Sequence, residues 1–171
     1  MTDRDRFAAL YDQHAAELLR FCFRRTGNAT DAQDLVSIVF LEAWRRRRDL
    51  RPETARAWLY GIATNVAHNH HRLARRHAAA LARLAAARPP AADPGDAEDA
   101  MRALLEDLRR LPRRELDVLA LCTWSGLTYE EAAAALKIPV GTVRSRLASA
   151  RRRLGELRTQ SLSPGVLHDR S

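Results

Sequence analysis

The chain has 171 residues, 46% of them hydrophobic, with a formal net charge of +8 and a pI near 10.8. That length suits one ordinary domain or two small ones, and no apolar run reaches the roughly 20 residues that span a bilayer. The charged start, Met1-Thr2-Asp3-Arg4-Asp5-Arg6, leads into no signal segment, so a cytoplasmic protein without a membrane span is expected, and the basic excess points to a polyanionic partner, nucleic acid first.

Strand signals are nearly absent and helical periodicity is nearly continuous. The first helix is expected over Asp3 to Arg25, with Phe7, Leu10, Tyr11, Leu18, Phe21 and Cys22 on one side and Gly27-Asn28 ending it. Thr30-Asp31-Ala32-Gln33 has the form of a capping box opening the second helix. The inward stripe of that helix is Ala32, Leu35, Val36, Val39, Phe40, Ala43 and Trp44. Arg51-Pro52-Glu53-Thr54 breaks the chain again. A third helix follows, with Trp58, Leu59, Ile62, Ala63, Val66 and Leu73 at helical spacing. From Arg88 to Asp96 the run Arg88-Pro89-Pro90-Ala91-Ala92-Asp93-Pro94-Gly95-Asp96 excludes a helix interior and reads as an acidic tether.

The second half opens with Leu104, Leu105, Leu108 and Leu111, then Pro112 and a helix carrying Leu116, Leu119 and Cys122 up to Gly126. Thr128-Tyr129-Glu130-Glu131 is a further capping box, for a short helix ending near Leu136. After the turn Lys137-Ile138-Pro139 a last helix runs from Val140 to about Arg158. The tail from Thr159 on is expected to be disordered. Cys22 and Cys122 have no metal or redox spacing and read as buried free thiols.

The last two helices read as a helix-turn-helix. On the final helix Val143, Leu147, Ala150 and Leu154 face inward. Gly141, Ser145, Ala148, Ser149 and Arg152 lie opposite, flanked by Arg144 and Arg151 on one side and Arg146 and Arg153 on the other. Small residues let a helix sit deep in a major groove while arginines reach the phosphates on each wall. The third helix has a second basic face of Thr64, His68, His71, Arg72 and Arg75, and no Asp or Glu occurs between Thr54 and Ala92. Such a face repels itself unless an anion is near. On the second helix Ile38 and Leu41 stand outside the apolar stripe beside Asp34, Glu42 and Arg45, as at a partner surface.

Three stretches carry a resemblance to a known family. They are Asp31-Ala32-Gln33-Asp34-Leu35-Val36 with Phe40-Leu41-Glu42-Ala43-Trp44; Ala57-Trp58-Leu59-Tyr60-Gly61-Ile62-Ala63-Thr64-Asn65 with its basic run; and Leu127-Thr128-Tyr129-Glu130-Glu131-Ala132-Ala133 with Pro139-Val140-Gly141-Thr142-Val143-Arg144-Ser145-Arg146-Leu147. In order and spacing they resemble the extracytoplasmic-function (ECF) group of the sigma-70 family of RNA polymerase sigma factors. The resemblance implies an all-α chain of two small helical domains joined by a flexible linker: a sigma-2 helical bundle over 7–77, a linker over 78–98, a sigma-4 helix-turn-helix over 99–158 and a disordered tail over 159–171. It implies a non-enzymatic transcription initiation factor, without cofactor, metal or catalytic residue, that binds core RNA polymerase and directs promoter recognition and melting.

By the same resemblance Asp34, Leu35, Ile38, Leu41 and Glu42 would dock on the β′ clamp helices, although Ile38 stands where the family usually has an acid. Arg51, Thr54, Arg56, Trp58, Asn65, His68, His71, Arg72, Arg75 and Arg76 would hold the −10 element. Thr128, Tyr129, Gly141, Thr142, Arg144, Ser145, Arg146, Ala148, Ser149, Arg152 and Arg153 would read the −35 element, with sigma-4 on the β flap. An anti-sigma factor is an expected further partner, and the protein would sit with polymerase on the nucleoid. Two other readings compete: a dimeric DNA-binding regulator using the same last helix, and a metal enzyme built on His68, His70 and His71, for which no carboxylate or thiol in that span completes a site.

Overall fold

The computed structural model describes residues 2–84, 104 and 106–162, and every regular element among them is helical. Helix α1 (Asp3–Thr26) opens on a capping box in which Thr2 Oγ1 accepts from Asp5 N–H and the Asp5 carboxylate accepts from Thr2 N–H. It stops at Gly27, whose φ of 70° is the left-handed closure that glycine adopts freely. Helix α2 (Ala29–Arg45) begins earlier than the Thr30 box suggested. Asn28 is the cap, its side-chain oxygen 3.0 Å from Asp31 N. The extended backbone of Asn28 follows Gly27 directly, so the reversal is complete before Thr30 is reached.

A 3₁₀ turn at Pro52–Thr54 runs straight into α3 (Ala55–Leu84). This helix passes beyond residue 77, where the linker was expected to start. His77 to Leu84 is rich in alanine and leucine, strong helix formers, and the first proline comes only at Pro89. The Arg88–Asp96 part of the expected tether lies outside the described residues, as does the tail over 163–171. Beyond His70 α3 leaves the bundle, which is why Leu73, expected in the apolar stripe, is exposed.

In the second half a short helix α4 (106–110) precedes α5 (Arg113–Leu119), whose N-cap position is Pro112. The chain then widens into a π turn, Ala120–Trp124, closed by Ser125 N–H on Ala120 O at 3.1 Å. Helix α6 (Tyr129–Leu136) has the expected Thr128/Glu131 capping box. Lys137 makes the following turn at φ 54°, and α7 runs Val140–Leu162, past the expected end at Arg158.

The core of the first domain joins Leu18, Phe21 and Cys22 of α1 to Leu35, Val39 and Ala43 of α2 and Leu59, Ile62 and Ala63 of α3. Phe7, Tyr11, Phe40 and Trp44 close its end, with Phe7 and Trp44 edge to face at 5.0 Å between centroids. The second core joins Val118 and Leu121 to Ala132, Val143, Leu147 and Ala150. The two are continuous because α6 packs across α3. At the crossing, a Cβ on Gly61 would lie 2.6 Å from the Ala135 carbonyl oxygen, so only glycine allows this approach.

Candidate nucleic-acid interface

Helix α7 is held against α5 by Val143, Leu147 and Ala150, and its outer surface presents Gly141, Arg144, Ser145, Ala148 and Arg152. Arg144 lies over the Tyr129 ring at 5.7 Å, which fixes a cation beside the start of α6. Ser145 Oγ donates to Thr142 O, and Thr142 and Arg146 are half-buried. Thr128 is exposed, although its Oγ1 is engaged as the α6 cap. Arg152 reaches Glu156 at 3.9 Å, a solvated pair of little strength. Two residues of the expected reading face are turned elsewhere. Ser149 Oγ donates to the Glu115 carboxylate at 3.0 Å, and Arg153 Nε lies 3.1 Å from its other oxygen. Glu115 is buried, so Arg153 neutralises an interior carboxylate that Ser149 also hydrogen-bonds, and the pair ties α7 to α5.

Helix α3 is covered on two sides, whereas the sequence pattern suggested one. Leu59, Ile62 and Ala63 face α1 and α2, and Thr64, read as part of an open basic face, is buried, its hydroxyl without a hydrogen-bond partner among the described residues. His68 Nε2 lies 2.8 Å from Asp117 Oδ1. Arg56 donates to Glu17 at 3.2 Å and to Ser125 O at 2.6 Å, and sits 3.5 Å from Glu131. Burial works against ionisation of Glu17, but hydrogen bonds from His14 and Arg56 outweigh it and hold the carboxyl below the ordinary carboxylate value. Trp58 is half-buried on the core. Arg51 and Thr54 remain exposed on the segment before α3, and Asn65, Arg72, Arg75 and Arg76 are exposed along the outer side of α3, its arginines forming a basic strip; His71 is exposed beside them, but partial burial of its ring and the charge of Arg25 hold it below the ordinary imidazole value. Among the described residues no group of three His, Cys, Asp or Glu side chains converges as a metal site.

On α2, Ile38 is 45% and Leu41 49% exposed, with Asp34 exposed beside them. Glu42 is bound by Arg45 at 2.8 Å and Arg46 at 3.4 Å. Leu35 corrects the expected set: it is 2% exposed and belongs to the inward stripe, out of reach of any partner.

Sequence reasoning missed Arg25 and Asp117, both buried and joined at 3.0 Å across the two domains. A signal was present. Arg25 continues the stripe Leu10, His14, Leu18, Phe21, Cys22 at helical spacing, and a charge on an apolar stripe implies a buried counter-charge. Nothing local marked Asp117 as its partner.

Residues 10–77 match the family described as sigma-70 region 2, and residues 101–154 the family described as sigma-70, region 4. The chain is 34% identical over 152 residues to the ECF RNA polymerase sigma factor SigL of Mycobacterium tuberculosis, covering 85% of each chain. It is 33% identical over 150 residues to the ECF RNA polymerase sigma factor SigE of Mycolicibacterium smegmatis; that match takes in 85% of this chain and 58% of SigE. Among solved structures it is similar to the sigma factor RpoE of Bartonella quintana, crystallised with the anti-sigma factor NepR, at 26% identity and a TM-score of 0.63, covering 86% of this chain and 95% of that one. The two matched regions, in this order on two helical domains, place the chain in the ECF group of the sigma-70 family, the non-enzymatic subunits through which RNA polymerase in the cytoplasm recognises promoters.

Proposed function

We propose that this chain binds core RNA polymerase through the exposed face of α2, centred on Ile38 and Leu41, and reads promoter DNA with two separate surfaces. The outer surface of α7 enters the major groove of the −35 element, with Gly141, Ser145 and Ala148 at the base edges and Arg144, Arg146 and Arg152 toward the phosphates. The 51–56 segment and the outer side of α3 hold the −10 element and capture its bases as the strands part, which offsets a few kcal/mol of unstacking per flipped base. One observation carries the reading: α7 exposes a row of small residues flanked by arginines, whereas a solvated helix face mixes both charge signs. An anti-sigma factor is proposed as a further partner, and residence on the nucleoid follows from polymerase binding.

The test is reconstitution. Core polymerase with and without this chain is given fragmented genomic DNA and transcripts are mapped. Discrete start sites that depend on the chain support the proposal. Specific binding of the chain to DNA as a dimer, with no effect on core polymerase, would favour the dimeric regulator.

A further inference from the structure

Two neighbouring arginines of α7 stand in opposite circumstances. Arg152 meets Glu156 at 3.9 Å with both side chains well exposed, so that pair is solvated and gives way readily. Arg153 lies 3.1 Å from Glu115 of α5, whose side chain is 6% exposed. Glu115 stands in the first turn of α5 with its carboxylate walled off from water. Its Oε1 accepts from Ser149 Oγ at 3.0 Å, and its Oε2 accepts no hydrogen bond among the described residues. Among the described residues Arg153 is also its one ion-pair partner. A carboxylate buried in this way depends on its single cation, because drawing Arg153 away leaves an uncompensated charge in the interior. One phosphate contact on an exposed helix surface contributes less than that loss. Glu115 therefore outcompetes DNA for Arg153, although Arg153 lies about two turns from Arg146 on the same flank of α7.

We infer that Glu115 is a positioning residue for the DNA surface of α7: by holding Arg153 and the Ser149 hydroxyl on α5, it keeps one arginine off the phosphates and one hydroxyl off the bases. The inference rests on the −35 reading proposed above and marks where that surface ends. Base reading then falls to Ser145 and its small neighbours, and phosphate contact to Arg144, Arg146 and Arg152. A phosphate contact tightens binding to every sequence alike. Withholding Arg153 therefore lowers the hold of the chain on bulk DNA and leaves the base code untouched. With a counterion-release slope of about 0.9 per contact, one contact changes affinity about fivefold at roughly 0.15 M salt.

The test is a double-mutant cycle in the full chain. Wild type, Glu115→Gln, Arg153→Ala and the double variant are each titrated by fluorescence anisotropy against a random-sequence duplex over a range of salt. Glutamine keeps an oxygen for Ser149 and removes only the charge, so α7 stays docked. Glu115→Gln should bind about fivefold tighter at roughly 0.15 M salt, with the slope of log K against log salt steeper by about 0.9. Arg153→Ala should keep the wild-type slope and affinity, and the double variant should match wild type. A Glu115 that only packs the fold would leave the slope unchanged in Glu115→Gln. That result, or a slope shallower by about 0.9 in Arg153→Ala, overturns the inference; if Glu115→Gln does not fold, the Arg153→Ala slope decides alone. Between two duplexes of different sequence, Ser149→Ala should keep the wild-type preference, and a changed preference would return its hydroxyl to the bases. Thermal melting of the same four proteins reads the tie without DNA. Arg153→Ala should lower Tm more in the wild-type background than in Glu115→Gln, and equal losses would show that Glu115 does not hold Arg153. If no variant binds the duplex, the −35 reading fails, and the melting cycle still decides whether the tie exists.

Discussion

Replacing Ile38 by arginine separates a partner surface from a structural one. Ile38 and Leu41 lie three apart on α2, each about half exposed. Full burial of such a side chain contributes about 1.5–3 kcal/mol, so seating the exposed half of each against a partner contributes about 1 kcal/mol. Ile38→Arg removes that contribution and strands a guanidinium in the contact, costing about 1–2 kcal/mol more. A total of about 2–3 kcal/mol corresponds to a Kd for core polymerase weaker by roughly 30- to 150-fold. The folded chain should not suffer. Arginine at this position has Asp34 and Glu42 one turn away on either side, and such pairs add a few tenths of a kcal/mol to a helix. The assay is fluorescence anisotropy of labelled chain with core polymerase, beside thermal melting by circular dichroism. A fall in Tm of more than about 4 °C would mean that at least about 1 kcal/mol of native packing was lost, and that Ile38 is not a free surface residue. Affinity unchanged within threefold would refute the docking role. Leu35→Arg is the contrast: at 2% exposure it should unfold the first domain outright.

Three further outcomes follow from the same coordinates. Arg146→Ala should weaken binding to all duplex sequences and lower the slope of log K against log salt by about one unit, whereas Ser145→Ala should change sequence preference with the slope unchanged; a titration over salt with two duplexes decides this. Lys137 holds a left-handed φ of 54° as the α6 cap, so Lys137→Gly should stabilise the second domain by about 1 kcal/mol in a denaturant melt, and a loss would show that the lysine side chain contributes something the backbone strain does not reveal. Burial pushes the Cys22 thiol up to about 12, so Ellman's reagent at pH 8 should label Cys122 first and Cys22 only on unfolding. Because the unfolded thiol ionises at lower pH than the folded one, Cys22 contributes stability that declines as pH rises from the ordinary thiol range toward about 12; fast labelling of Cys22 in the native chain would contradict its burial.

Much of the helical order was legible because apolar periodicity and caps are local signals. The α1 stripe, the Gly27 stop and the Thr128/Glu131 box are written in a few adjacent residues each. Boundaries failed where two local signals competed: Asn28 took the cap that Thr30 advertised, and alanines carried α3 through residues assigned to a linker. The α7 surface was partly legible. Its small residues and arginines were visible, but the diversion of Ser149 and Arg153 to Glu115 depends on a residue 34 positions upstream of Ser149, and no periodicity carries that information.

The largest difference lies on α3, and it has one physical origin. A helix with no acid from Thr54 to Ala92 needs anions from elsewhere, and the sequence alone offered only nucleic acid as their source. The structure supplies Glu17 from α1, Asp117 from α5 and Glu131 from α6. Interfaces of this kind escape pattern reading because alanine, glycine and threonine mark no apolar stripe, and a charge that is exposed in one arrangement and paired in another looks the same in sequence. The two answers are not rivals over the whole helix. Among the described residues no ion pair joins the exposed Arg72, Arg75 or Arg76 to a second-domain acid, so their charge is available to phosphate, whereas partial burial and the nearby Arg25 hold the His71 ring below its ordinary value and uncharged. Arg56 and His68 are different, since a protein oxygen already occupies the position a phosphate would take. Salt should therefore act on the two groups in opposite senses. It weakens the attraction of the outer strip for DNA, and by screening Arg56 from Glu131 it also loosens the contact that competes with DNA for Arg56. Binding of a single-stranded oligonucleotide should therefore weaken with salt, and Arg75→Ala should lower the slope of log K against log salt by roughly 0.7; an unchanged slope would show that the outer strip takes no part in strand binding.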